Sequence, residues 1–208
     1  MHFPFSDSFP DEALNCGADA AVLSLHKTLP SLTQTALLIT NDSKLSEILA
    51  ENLAVFETSS PSYILMSSIE KCLDFCETGK SKFEEYCKIL KAVRTKLKSL
   101  KHLKIYDKSD TDFDYDIGKI VISTANANIS GTKLAEILRN GYQIETEMAY
   151  SDYVIAMTSV CDTEKGFDML SDALISIDSE LLKEADTERV PLKNLYTGKN
   201  FNACELYK

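Results

Sequence analysis

The sequence predicts an α/β chain in two parts. Short apolar runs rich in β-branched residues, of which Gly118 to Thr124 and Tyr153 to Thr158 are the strongest, read as strands. Between them lie longer stretches whose apolar residues recur every three or four positions, the pattern of helices packed on one face. An acidic connection at residues 106 to 116, Tyr-Asp-Lys-Ser-Asp-Thr-Asp-Phe-Asp-Tyr-Asp, reads as a solvated linker. It divides residues 1–104 from a small α+β part at 105–208.

Taken in order, the first residues carry aromatic and proline punctuation, then a short helical stretch around Asp11 to Cys16 that Gly17 stops. Ala20 to Ser24 is short and apolar enough to be a buried strand, and Thr35 to Thr40 is a second β-like apolar run, bounded by Asn41-Asp42. Asp42 or Ser43 caps a helix from about Lys44 to Val55, with Leu45, Ile48, Leu49 and Leu53 on one face. Ser60 as N-cap and Pro61 at the first helical position start the next helix, which carries Leu65, Ile69, Cys72, Leu73 and Cys76.

After Gly79, Ser81 and Glu84 form a capping box for a helix to about Lys101. Its apolar face is Phe83, Tyr86, Leu90, Val93, Leu97 and Leu100. Lys88, Lys91, Arg94, Lys98 and Lys101 make a basic face read as solvated. In the last part, Ser130 caps a helix carrying Leu134, Ile137 and Leu138, stopped near Gly141. Tyr142 to Met148 is the middle strand, and Asp162 or Thr163 caps a closing helix to about Leu182. The polar tail from Lys183 reads as an irregular strap.

The 208 residues are enough for one or two domains, and 44% hydrophobic with 26% charged residues are ordinary globular values. A net charge of −10 disfavours nucleic acid and anionic membrane as partners. No apolar run approaches a bilayer span of about 20 residues, and no signal peptide is visible, so a cytoplasmic protein is expected. The six cysteines lack metal-site spacing. Cys72 and Cys76, four apart on a helix, read as core thiols rather than metal ligands. Asp110, Asp112 and Asp114 suggest a calcium loop, but Tyr115 and Val121 stand where its turn glycine and bidentate glutamate belong.

The densest chemistry is Ser24-Leu25-His26-Lys27-Thr28-Leu29, where a hydroxyl, an imidazole and an amine fall within four residues at the end of a predicted strand. The run from Ser24 to Gln34 resembles the Ser-x-His-Lys-Thr-Leu-x-x-Leu-Thr-Gln signature of the pyridoxal-phosphate-dependent ornithine/lysine/arginine decarboxylases of bacteria. Phe9-Pro10, Ala13-Leu14, Gly17-Ala18-Asp19, Thr58 to Tyr63 and the stretch from Asp116 to Glu147 extend the match. The resemblance implies the C-terminal part of a transferase-like large domain followed by the family's small domain.

By resemblance, Lys27 is the catalytic amine that holds pyridoxal 5'-phosphate. Ser24 and His26 contact its phosphate, and Thr58, Ser59 and Ser60 do so from a neighbouring subunit of a homodimer or higher assembly. Glu145 aligns with a segment toward the substrate end. A helix start ringed by hydroxyls suits a phosphate on physical grounds as well. The implied substrate is a basic amino acid (arginine, lysine or ornithine), decarboxylated to its amine in the manner of polyamine biosynthesis.

One departure tempers this. The family places an Asp-Glu-Ala-His-Gly-Ala segment before the residues matching His2-Phe3, and its aspartate pairs with the pyridine nitrogen. That segment, the phosphate-binding turn and the ring-stacking residue have no counterpart in this sequence. The expectation is therefore a chain that needs a missing N-terminal part and is inactive alone. The alternative reading is a noncatalytic dimerisation or regulatory fragment.

Overall fold

The structure, a computed structural model, describes residues 8–112 and 114–182. The expected strap from Lys183 lies outside the described residues. In chain order, β1 (Ala21–Ser24), α1 (Leu25–Thr28) and β2 (Ala36–Ile39) are followed by α2 (Ser43–Phe56), α3 (Tyr63–Thr78) and α4 (Lys80–Leu97). Then come β3 (Lys104–Ile105), a 3-10 turn (Lys108–Asp110), β4 (Lys119–Ser123), α5 (Gly131–Tyr142), β5 (Met148–Ala149), β6 (Tyr153–Met157) and α6 (Glu164–Glu180). The chain is thus a mixed helix-and-sheet, α/β structure.

β1 and β2 form an antiparallel two-stranded sheet with Ser24 opposite Ala36. The other sheet has the order β3-β4-β6-β5, antiparallel throughout, with Ile120 opposite Ala156 and Ile122 opposite Val154. Strand alternation sends Ile120, Ile122, Val154 and Ala156 to one covered face. There they meet Leu134 and Leu138 of α5, Phe167, Leu170 and Leu174 of α6, and Tyr86, Leu90, Val93 and Leu97 of α4. Each fully buried aliphatic side chain in this core contributes about 1.5–3 kcal/mol. A smaller cluster joins Leu25 and Leu29 to Cys72, Cys76 and Phe83. It fixes the α1 turn against α3 and the start of α4.

Several local readings shift. β1 is not buried: its residues alternate, and Val22 is 73% exposed. With β2 as its one partner among the described residues, the strand keeps an open face. The Asp11–Cys16 stretch is a hydrogen-bonded turn rather than a helix, closed by Cys16 N–H to Glu12 O and Ala18 N–H to Ala13 O. Gly17 ends it at φ 95°, a left-handed conformation that suits glycine.

α3 starts two residues later than expected. Ser62, not Ser60, is its N-cap and accepts from Leu65 N–H. α4 begins at once after Gly79 with no side-chain cap, so the Ser81–Glu84 capping box does not form. Asp42 caps α2, accepting from Lys44 and Leu45, and Thr163 caps α6. The middle strand shrinks to Met148–Ala149 because Gln143 turns left-handed (φ 57°) to end α5, and Ile144 N–H is spent on Leu138 O.

The acidic connection is solvated only in part: Lys108, Ser109, Asp112 and Asp114 are exposed, while Tyr106, Asp107, Tyr115 and Ile117 are half-buried. Arg94, read as part of a solvated basic face, is buried beneath it. Its guanidinium donates to Ile117 O at 3.1 Å, to Tyr115 Oη at 3.0 Å and to Tyr106 O, and lies 5.3 Å from the Tyr115 ring centroid. Tyr115 in turn donates to Asp107, and Asp107 caps the 3-10 turn. Tyr106 O, Asp107, Tyr115 and Ile117 O thus find partners within the fold, while Lys108 and Asp114 pair at the surface.

α2 behaves in the opposite way. None of its residues is buried, and Val55 and Phe56 are 75% and 85% exposed. A helix of this length is marginal in water alone, and the described residues cover its apolar side only in part, with Leu45 and Leu49 half-buried.

Candidate functional site

Ser24, His26 and Lys27 meet on one helical turn. Leu25 N–H donates to Thr35 O at 3.1 Å, and Leu29 N–H closes the turn on Leu25 O at 3.0 Å. Leu25, Thr28 and Leu29 point inward, Leu25 with no exposure at all. Ser24 and Lys27 are thereby left on the outer side, both exposed. The local sequence accounts for this: apolar residues four apart bury one side of a single turn and display what lies between them.

His26 is held in a defined state. Its Nδ1 lies 2.9 Å from Thr35 O, and a carbonyl only accepts, so Nδ1 carries the proton. Thr35 is itself buried, with its hydroxyl donating to Leu32 O at 2.7 Å and lying 2.7 Å from Ser31 Oγ. Ser68 of α3 accepts from Leu32 N–H at 2.8 Å. The loop carrying Thr35 is thus fastened to α3, and His26 is fastened to the loop.

Lys27 reaches across the fold. Its Nζ donates to Glu147 Oε1 at 3.0 Å, a contact between residues 120 positions apart, with the two side chains 51% and 40% exposed. Glu147 N–H is fixed by Ile155 O of β6 at 2.9 Å. Sequence reasoning pointed to Glu145 instead, and Glu147 was passed over. The available signal was position: Glu147 ends the resembling stretch and follows Glu145 by two residues.

Glu145 does not join this group. Arg139 engages it from both ends of its carboxylate, with Nε 2.7 Å from Oε2, and holds its carboxyl below the usual range. Thr58, Ser59 and Ser60 also stand apart. They are exposed residues ahead of α3, where Ser60 N–H donates to Thr58 Oγ1 at 3.2 Å. No hydrogen bond among the described residues joins them to Ser24, His26 or Lys27.

Cys72 and Cys76 are both buried in the smaller core. Burial pushes the Cys76 thiol up to about 12, with the neighbouring Cys72 adding to the shift. Such a thiol is a packing group, not a nucleophile. Among the described residues, no cluster of three His, Cys, Asp or Glu is arranged to hold a metal. No helix among them is long and apolar enough to cross a membrane.

The displayed amine, hydroxyl and imidazole fit one edge of a phosphorylated aldehyde cofactor, namely the carbonyl and the phosphate. The described residues of this turn offer neither a carboxylate for a pyridine nitrogen nor a ring to stack on it.

Comparison with known proteins bears on this arrangement. A family model described as Orn/Lys/Arg decarboxylase, major domain, matches residues 1–113. The arginine decarboxylase of Bacillus anthracis is 29% identical over 192 residues, 89% of this chain and 39% of that protein. That of Bacillus subtilis (strain 168) is 26% identical over 195 residues, 91% of this chain and 40% of that protein. The chain therefore spans about two fifths of the length of these curated relatives.

Among solved structures, the Francisella novicida lysine decarboxylase superposes with a TM-score of 0.65 at 18% identity, covering 76% of this chain and 27% of that one. An alanine–glyoxylate aminotransferase from Nostoc sp. gives 0.60 at 16% identity, covering 83% and 52%. At these identities the likeness is one of fold. The family model spans more than half of the 208 residues and includes the turn that displays Lys27, so the chain belongs to the Orn/Lys/Arg decarboxylase family through its major domain.

Proposed function

We propose that this chain is the C-terminal portion of a pyridoxal-phosphate-dependent decarboxylase of a basic amino acid, with Lys27 as the cofactor lysine. The observation that carries the proposal is the display of the Lys27 amine on the outer side of the α1 turn, beside Ser24 and His26. When bound, the cofactor supplies an electron sink for the charge left as carbon dioxide departs.

The chain's own residues bind and orient. Lys27 Nζ presents the amine. Ser24 Oγ and the second ring nitrogen of His26 hold the phosphate, the imidazole being fixed in its tautomer by Thr35 O. Thr58, Ser59 and Ser60 add phosphate contacts to the site of a neighbouring subunit. Residues 1–104 belong to the large domain with its interface helices, and 105–208 form the small domain. The assembly is cytoplasmic, and an acidic protein suits a cationic substrate.

Alone, the chain is inactive and depends on further polypeptide to complete the site. The exposed Val22, Val55 and Phe56, apolar surface awaiting cover, favour the second reading, a noncatalytic dimerisation or regulatory fragment.

Titration with pyridoxal phosphate and assay of carbon dioxide release from arginine, lysine and ornithine separate the readings. The isolated chain is expected to show little visible absorbance from lysine-bound cofactor and no release. Stable cofactor binding with release by the chain alone overturns the incompleteness. Release by the completed protein, lost in Lys27→Ala, supports the enzyme reading over the noncatalytic one.

A further inference from the structure

The Lys27–Glu147 contact has properties that a chance surface pair lacks. Both ends are anchored. The α1 turn is fixed by buried Leu25, Thr28 and Leu29, and Glu147 is held to β6 through its backbone. The competing charges are occupied: Glu145, two residues away, is engaged by Arg139, and His26, beside Lys27, is tied to Thr35. Two side chains from separate parts of the chain therefore meet while their nearest charged or polar neighbours in sequence, Glu145 and His26, are engaged elsewhere.

We propose that Glu147 is a positioning residue that parks the Lys27 side chain while its amine carries no carbonyl compound, and that the pair must open before the amine reacts. This rests on the reading of Lys27 as the reactive amine. The chemistry is direct. An ammonium has no lone pair, so it must leave the carboxylate and give a proton to solvent. The lone pair of the neutral amine then forms the C–N bond at the carbonyl carbon. The carbonyl oxygen departs as water with the two amine hydrogens. The 3.0 Å contact with Glu147 holds Nζ only before this sequence, because the amine must leave the carboxylate to reach the carbonyl carbon.

The test is reductive alkylation of the folded protein with acetaldehyde and cyanoborohydride, the latter supplying the hydride that traps each C=N bond. Peptide mass spectrometry measures labelling of Lys27 against Lys44, an exposed lysine of α2. Glu147→Gln is expected to raise the Lys27-to-Lys44 ratio about two- to fivefold at low salt, the range of an exposed ion pair. Added salt should shrink the difference. Glu136→Gln, which breaks the Lys133–Glu136 pair, should leave the ratio unchanged.

Equal ratios in wild type and Glu147→Gln, or the same rise in Glu136→Gln, overturn the proposal. Its failure is separable from that of the proposed function, because Lys27→Ala in the carbon dioxide assay tests the latter without reference to Glu147.

Discussion

Lys27 Nζ and Glu147 Oε1 stand 3.0 Å apart while 120 positions separate them in the chain. The contact joins the α1 turn of the family's major domain to the approach to β5. A lysine signature legible at residues 24–34 thereby acquires a partner at the edge of the four-stranded sheet. The scaffold that sets this meeting is testable apart from the chemistry.

Asp178 is the buried carboxylate of that scaffold. It accepts from Lys101, His102 and Leu103 N–H at 2.7, 2.9 and 2.7 Å, tying α6 to the chain entering β3. Asp178→Ala strands three amides and should cost about 3 kcal/mol, read as a lower urea midpoint. Burial pushes this carboxyl up, but the three amides together hold it below the ordinary carboxylate range. Its contribution is therefore fully present above the unfolded-state value and lost as pH falls through the lower folded value. Wild-type stability should drop across that acid window, and the Ala variant should lack this component.

Arg94 makes a similar case beneath the acidic connection. Arg94→Lys keeps the charge but cannot reach Tyr106 O, Ile117 O and Tyr115 Oη together, so it should destabilise by about 2 kcal/mol. Denaturant melts compared with Lys91→Arg, an exposed substitution on the same helix, provide the check. Equal midpoints for the two variants would show that the network is dispensable.

Gly131 opens α5 where the backbone of residues 150–153 crosses closely. A Cβ there would collide with the carbonyl oxygens of Tyr150 and Tyr153 and lie 2.7 Å from Tyr153 C. Gly131→Ala should therefore cost about 1–3 kcal/mol, whereas Gly141→Ala, with open space around it, should be tolerated. Thermal melts of the two variants report the difference.

Thiol labelling tests the smaller core. Cys16 and Cys161 are exposed, while Cys72, Cys76 and Cys87 are buried. Burial pushes the Cys161 thiol up as well, with Asp162 adding to it. Among the described cysteines, Cys16 should react first with a disulfide reagent, and the three buried thiols should react only on unfolding. Early reaction at Cys76 would contradict the packing of Leu25 and Leu29 against it.

Much of this was legible in the sequence. The stripe of α4, the cap of α6, the strands at 119–123 and 153–157 and the Ser130 cap all follow local rules that tertiary structure did not override. What failed depended on partners distant in sequence. Arg94 looks like a surface base until Tyr106 and Tyr115 fold over it, and β1 looks buried because its apolar letters do not say how many neighbours it has. The Lys27–Glu147 pair is invisible locally because its members stand 120 positions apart, and Arg139 engages Glu145. Signature and spacing identified the turn that carries Lys27, and pairing across the fold chose the glutamate.

The central claim is that Lys27 is the cofactor lysine of a basic amino-acid decarboxylase. The most direct measurement is carbon dioxide release from arginine, lysine and ornithine, with pyridoxal phosphate present. It would use the protein isolated from its own cells with the polypeptides that accompany it, as wild type and as Lys27→Ala. Release from one of these substrates by the wild type, abolished in Lys27→Ala, is the predicted result. Undiminished release by Lys27→Ala would contradict the account.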